Sequence, residues 1–398
     1  MQWMIEIKAT INLWLWPGAM LLAWSFGEYL FKRVGLPRIS SYIVLGLLLG
    51  SALTDSITPQ MKQTLSFLTQ LAFALHLFEL GYRIHLRWFK TNPWVPLSGI
   101  VESSLSFALV YLGAQAMSFT YLESALMGAL FMATSPSTVL QIIHQTRASG
   151  QLTERVLHHT AINLVLAVIT VQLLMGVQAF EQTGLLIDAL YDGFIVACIS
   201  VVLGVLMGLV IPELFRWLPR TATDATLAFA LGVCLLCALT MSMKLLPMLS
   251  CFVFGVVCRY QRITVGVAKQ GFGTAGELLS LLLFVYVGAS VSFVSLAEGL
   301  MVGVSVLLLR QLAKAIAVTS LAFGGGLQWD KGFWVSVALA PSASFLVLMT
   351  AQLDLAGFTR LAVLQALLSA ALIMGAVGPL LVRLAILRSK ESLAGQDG

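Results

Sequence analysis

Apolar residues run along this chain in long blocks, and the polar residues gather in short clusters between them. A helix needs about 20 apolar residues to cross the hydrocarbon of a bilayer, and most of the blocks approach that length. They lie at roughly 10–31, 39–54, 65–82, 93–117, 121–143, 156–178, 189–212, 223–241, 245–258, 277–293, 297–322, 332–353 and 361–382, which predicts thirteen helices. Two blocks are interrupted at their centres, at Met132-Ala-Thr-Ser-Pro-Ser-Thr-Val-Leu140 and at Leu339-Ala-Pro-Ser-Ala-Ser344. A proline inside a helix removes a backbone hydrogen bond, and in hydrocarbon the freed groups need partners within the protein. Pro136 and Pro341 therefore predict two broken helices that face other helices or a wet cavity.

The breaks are part of a longer correspondence. Gly46 recurs as Gly255, the Phe78 to Gly81 segment resembles Phe284 to Gly288, and Pro136 recurs as Pro341, at offsets of about 205 to 209 residues. Each pair lies seven spans apart, an odd number, so the copies cross in opposite senses. This predicts an inverted repeat, spans two to six (about 39–178) against nine to thirteen (about 245–382), with the breaks meeting near the midplane. Paired interruptions of this kind point to a transporter binding site.

Composition agrees with an all-α polytopic membrane protein: 59% of residues are hydrophobic and 10% charged, with a mean hydropathy of +0.93. The first span reads as an uncleaved helix rather than a signal peptide. The net charge of +5 would suggest an acidic partner in a soluble protein, but its distribution explains it. Segments after odd-numbered spans hold seventeen basic residues (Lys32, Arg33, Arg38, Arg83, Arg87, Lys90, Arg147, Arg155, Arg216, Arg220, Arg259, Arg262, Lys269, Lys331, Arg383, Arg388, Lys390), against four opposite (Lys8, Lys62, Lys244, Arg360). Because cytoplasmic loops are rich in Lys and Arg, the N-terminus is placed outside and the C-terminus in the cytoplasm. The pattern predicts a single membrane domain over 1–390 with a short tail at 391–398. No nucleic-acid partner and no cofactor are expected.

Ionisable groups inside the bilayer are functional candidates by default. Glu28 and Glu79 fall near the basic rim, Glu79 within reach of Arg83 at i+4, and both read as interfacial. Glu102 is different, lying close to the middle of span four and followed by Ser103 and Ser104. Arg310 and Lys314 stand at i, i+4 in span eleven. A deep acid and two deep cations should find one another or a substrate, because an unpaired buried charge is costly. In span six, His158 and His159 read as solvated and structural, while Asn163, two turns further in, needs a polar partner. Cys234 and Cys237 form a CxxC in mid-span with no second pair, so they read as packing residues rather than metal ligands. Gly271-Phe-Gly-Thr-Ala-Gly276 matches GxGxxG, but no strand precedes it, which removes the dinucleotide reading. No nucleophile and base share a suitable spacing, so an enzyme is not expected.

Gly35-Leu-Pro-Arg-Ile39 with Gly46 and Gly50, Phe78-Glu-Leu-Gly81, Thr134-Ser-Pro136, Phe284-Val-Tyr-Val-Gly288, Lys314 and Leu339-Ala-Pro341 occur in the order and spacing of the monovalent cation:proton antiporter-2 family. The chain resembles the Kef-type and sodium/proton exchangers over almost its whole length. The resemblance implies a homodimer in the cell membrane, with a six-helix core that moves against a dimerisation domain. It implies monovalent cations and protons as substrates, and an ion site where the broken helices meet span six. By the same resemblance Thr134 and Ser135 line that site, and Lys314 is the span-eleven lysine. One departure matters: family members carry a carboxylate after the span-six Asn or its equivalent, whereas this chain reads Asn163-Leu164. The second break, Ser342-Ala-Ser344, also lacks the Arg-Gly common there.

Three readings follow. The carboxylate has been replaced by another acid, Glu102 first and Glu79 second, in a working antiporter. Alternatively, the chain is a transporter or channel-like relative with an altered substrate, and helix N-termini with Arg310 and Lys314 favour an anion. In the third, the chain is a non-transporting membrane subunit that kept the fold.

Overall fold

The computed structural model describes residues 2–55, 59–217, 222–261, 272–355 and 360–392. Arg220, Arg262, Lys269, Gly271 and positions 393–398, all used in the sequence argument, lie outside these. Every described segment of regular structure is helical: α1 (Gln2–Val34), α2 (Arg38–Asp55), α3 (Pro59–Arg83), α4 (Leu86–Thr91), α5 (Trp94–Ala116), α6 (Tyr121–Met132), α7 (Pro136–Thr146), α8 (Gln151–Thr183), α9 (Leu186–Leu190), α10 (Val196–Trp217), α11 (Ala222–Ser242), α12 (Pro247–Tyr260), α13 (Gly273–Ala289), α14 (Phe293–Ala322), α15 (Trp329–Ala338), α16 (Ala343–Leu355) and α17 (Leu361–Arg388). A five-residue π turn, Tyr191–Ile195, joins α9 to α10. All thirteen apolar blocks fall on helices. Among the described residues, seven helical stretches are long and apolar enough to cross a bilayer, and the bent pair α15 and α16 makes an eighth. The other apolar helices run shorter, such as Pro247–Tyr260 and Gly273–Ala289.

Local sequence sets where these helices begin. Thr120 and Glu123 form a reciprocal capping box at the start of α6, which satisfies two of the amides that a helix start leaves without partners. Pro136 is the first residue of α7, where the absent N–H would have had no helical acceptor in any case. The proline thus starts a second half-helix instead of kinking one long helix.

The helices pack as two bundles. α1, α2, α3, α10, α11, α12 and α13 form one panel, in which α3 lies against α12 and α2 against α13. α5, α6, α7, α8, α14, α15, α16 and α17 form a core, with α14 between α5 and α17. The seam between them runs through α2 against α17 and α3 against α7.

Glycines set the panel's closest approaches. A Cβ on Gly46 of α2 would collide with the Val285 carbonyl of α13, and one on Gly288 would collide with Ile43 of α2. A Cβ on Gly255 of α12 would strike the Phe78 carbonyl of α3, and one on Gly81 would strike Phe252. The two contacts exchange the residues that the sequence paired: Gly46 stands to α13 as Gly255 stands to α3. An inverted repeat brings its copies together in this way.

The end of the described chain is not a free tail. The Glu391 carboxylate accepts from the Leu152 and Thr153 amides at 2.8 and 2.9 Å and from the Thr153 hydroxyl at 2.9 Å. It caps the start of α8, and Ser392 donates to the Thr146 carbonyl at 3.2 Å.

Candidate functional site

The two breaks cross at the centre of the core. The Ser135 amide donates to the Pro341 carbonyl at 2.7 Å, and the Thr134 hydroxyl to the Leu339 carbonyl at 2.9 Å. Each broken span therefore supplies partners for its counterpart's freed backbone, as a dry interior demands. The crossing has two faces. On one, α6 and α15 end, and their last carbonyls point inward. On the other, α7 and α16 begin.

Arg310 occupies the carbonyl face. Its Nε donates to Phe131 O at 2.8 Å, Nη1 to Ala340 O at 2.7 Å, and Nη2 to Ala133 O at 2.9 Å and Leu339 O at 3.1 Å. One guanidinium thus closes the ends of both half-helices, a task suited to its planar fork of donors. The sequence grouped Arg310 with the ion-binding residues, but the structure commits its donors to backbone. It positions the site and leaves little for a ligand.

Lys314, one turn on, is different. Its Nζ contacts the Glu102 carboxylate and lies 3.3 Å from Met132 O and 3.4 Å from Thr134 Oγ1. Both charged side chains are wholly buried. The ammonium is held by oxygens of three kinds: carboxylate, carbonyl and hydroxyl. The other Glu102 oxygen, Oε2, is buried without a protein partner. Around this pair, Ser103 donates to Asn163 Oδ1 at 2.7 Å, and the Asn163 amide reaches Thr134 Oγ1 at 3.5 Å. Asn163 is thus joined to the crossing, and the adjacent Leu164 is buried in the apolar core. The local charge balances. Two half-helix C-termini contribute about −0.5 each, Glu102 contributes one negative charge, and Arg310 and Lys314 offset all three.

On the opposite face the hydroxyls of Ser135, Ser137 and Ser344 form a ring, at 3.1 Å (Ser135 to Ser137), 3.1 Å (Ser135 to Ser344) and 2.7 Å (Ser137 to Ser344). Thr138 joins it at 3.4 Å. Ser342 is buried, and its hydroxyl has no protein partner. Ser137 and Met132 lie in the first break but were not among the expected site residues. Ser137 follows the break directly and was legible there, whereas a main-chain oxygen carries no residue-type signal.

A second polar cluster lies further along α7. Glu79 is only 2% exposed, and it makes the i, i+4 pair with Arg83 that the sequence predicts. It accepts from Arg83 at 2.7 Å and meets His144 Nε2 at 2.7 Å. Nearby, the Gln141 amide donates to Ser280 at 2.9 Å, and Ser280 lies 3.2 Å from His76 Nε2. Arg83, Gln141, His144 and Ser280 line a cleft of about 1840 Å³ that also involves α1, α2, α3 and α13, with Glu28, Lys32, Arg38 and Arg147 among its lining. Ser137, Gln141 and His144 fall at i, i+4 and i+7, one stripe of α7 running from the serine ring to the cleft.

His158 and His159 are buried rather than solvated. His158 lies under Trp88 and Phe89, and His159 sits 3.0 Å from the Ser98 hydroxyl.

The sequence profile of the family described as "Sodium/hydrogen exchanger, transmembrane" matches residues 19–386. None of the curated proteins matches the chain. Among solved structures, the sodium proton antiporter MjNhaP1 from Methanocaldococcus jannaschii at pH 8 is similar with a TM-score of 0.71 at 14% identity. That alignment covers 98% of this chain and 100% of the other. An electron-microscopy structure of the same antiporter gives a TM-score of 0.69 at 17% identity, covering 96% and 95%. At this identity the likeness is one of fold.

Proposed function

The chain belongs to the transmembrane sodium/hydrogen exchanger family, and from that premise we propose that it exchanges a monovalent cation for a proton at the Glu102–Lys314 pair. The observation that carries this is the company kept by Lys314. A carboxylate, a carbonyl and a hydroxyl surround its ammonium, and this is the donor set that a hard monovalent cation takes. Charged lysine and a bound cation compete for these oxygens. When the cation enters, Lys314 gives up its proton to water on that side and withdraws; when a proton from the opposite side recharges the lysine, the cation leaves there. Glu102 serves both occupants, in the place of the carboxylate that Leu164 does not supply.

The remaining expectations are proposals on the same footing. The stripe of α7 and the cleft form the route to the site from the basic-rich rim, which we assign to the cytoplasm, with the N-terminus outside and the protein in the cell membrane. The repeats span about 39–178 and 245–382, and the core rocks against a panel through which two copies pair. The motifs support a position near the antiporter-2 members of the family. The anion reading loses ground because Arg310 and Lys314 stand at the negative helix ends, already engaged with oxygens.

The test is reconstitution into liposomes with a trapped pH dye. Adding sodium or potassium should collapse a proton gradient with wild type and with Glu102→Asp, and not with Glu102→Gln. Survival of exchange in a folded Glu102→Gln protein, or its absence from wild type with both cations, would sink the proposal.

A further inference from the structure

A cluster away from the crossing has no part in that exchange. His85 lies in the connection from α3 to α4, and Glu154 and His158 stand at i, i+4 in the first two turns of α8. One ligand-type atom from each of the three lies within 4.8 Å of the others. We propose that these residues bind a divalent cation of the zinc class and thereby tie the panel to the core.

The chemistry selects the ion. Two imidazoles and one carboxylate suit Zn2+ and its borderline neighbours, whereas magnesium and calcium prefer all-oxygen sites. The tautomer of His158 is already set for the task. Its Nδ1 donates to the Glu154 carbonyl at 2.7 Å, which leaves the Nε2 lone pair for a ligand. Metal-bound histidines are commonly oriented by such a second bond. That Nε2 is at present met by the His85 amide over 3.3 Å, a long contact. Trp88 holds the ring from one side with centroids 4.5 Å apart, and Phe89 from its edge at 5.3 Å. His85 and Glu154 are both exposed, so an ion can reach them from solvent.

Arg259 of α12 opposes the ion. Its guanidinium donates to His85 Nε2 and lies over the Tyr82 ring at 5.5 Å. To bind, His85 presents its other nitrogen or Arg259 turns aside, so the arginine weakens the site without closing it. The location gives the ion a consequence. His85 closely follows α3 of the panel, whereas Glu154 and His158 stand on α8 of the core, so a metal held by all three resists movement at the seam. This consequence, though not the binding, rests on the transport reading above.

The experiment is calorimetric titration of the purified full-length protein with zinc chloride. Wild type should take up one Zn2+ per chain with micromolar affinity, undisturbed by excess magnesium. Removing a ligand at either exposed position, by His85→Ala or Glu154→Gln, should weaken binding at least about tenfold without lowering the melting temperature, and Arg259→Gln should tighten it. No stoichiometric uptake by wild type, or equal affinity in His85→Ala and Glu154→Gln, overturns the site. In liposomes, zinc should slow exchange by wild type and spare His85→Ala; unchanged flux with one ion bound overturns the tie across the seam. A wild type that exchanges nothing even without zinc instead counts against the transport reading, and the calorimetry then decides the metal site on its own.

Discussion

Two cations one helical turn apart divide the work at the crossing, and their different chemistry explains the division. Arg310 spreads its donors over four carbonyls from two half-helices, whereas Lys314 is a compact charge that a single ion can replace. Arg310→Ala takes the guanidinium from all four buried carbonyls, of which Leu339 O keeps the Thr134 hydroxyl as a partner. Hydrogen bonds to charged groups contribute about 1.5 to 3 kcal/mol each, so a loss of at least about 3 kcal/mol is expected. Arg310→Lys should restore little of it, since an ammonium cannot span four acceptors on two helices. Thermal melts in detergent check this, and a melting point in Arg310→Lys equal to wild type would show that charge alone suffices. The sequence identified both cations and Glu102 as deep charges, because charge in an apolar run is visible residue by residue. Their separate roles were not visible. The carbonyls that occupy Arg310 lie 29 to 179 positions away, and only the crossing brings them together.

At the scale of elements, the repeat is written in small residues. Gly46 and Gly288 let α2 and α13 touch backbone to backbone, and Gly81 and Gly255 do the same for α3 and α12. Small residues at close helix contacts are the usual means of packing where lipid offers no hydrophobic drive. Gly46→Ala and Gly255→Ala each force a methyl into a carbonyl, a cost of about 1 to 3 kcal/mol by analogy with overpacked cores. If the two contacts are repeat equivalents, the two melting points should fall by similar amounts, while alanine at Gly18, which has open space around it, should have little effect. A fall for one contact alone would break the equivalence. The breaks and these glycines were legible because both are local signals that recur at one offset. α4 was not: a six-residue helix, Leu86–Thr91, carries no periodicity, yet it places Trp88 and Phe89 over His158. That lid is why His158, near a helix start, proved buried. Glu391 was illegible for a related reason, since its partners at Leu152 and Thr153 lie 239 and 238 residues back.

For the whole molecule, the question is how an occluded pair exchanges ions between two sides. The core meets the panel along a narrow seam, where the Ser40 hydroxyl of α2 donates to the Ala376 carbonyl of α17 at 2.8 Å. If the bundles move against each other, a disulfide between Ser40→Cys and Ala376→Cys should stop exchange under oxidation, and a reductant should restore it; full activity in the oxidised, cross-linked protein would rule out motion at this seam. Movement of the core carries its charges with it, and the charge count at the crossing then sets the energetics of the cycle. With lysine charged, Arg310, Lys314 and Glu102 sum to one positive charge, the helix dipoles adding local potential but no net charge. With a monovalent cation in place of the lysine's proton the sum is the same. On the proposed exchange both forms of the core therefore cross with the same charge, which predicts one proton for one cation and no net work by membrane voltage over the cycle. A single uncompensated charge is driven by about 2.3 kcal/mol per 100 mV, equivalent to about 40-fold in an equilibrium. Sodium-driven proton flux measured in liposomes clamped at zero and at about −100 mV should accordingly differ by less than about twofold. A difference approaching the full factor would mean that a further group, with Glu79 and His144 beside the cleft the first to examine, titrates in each cycle.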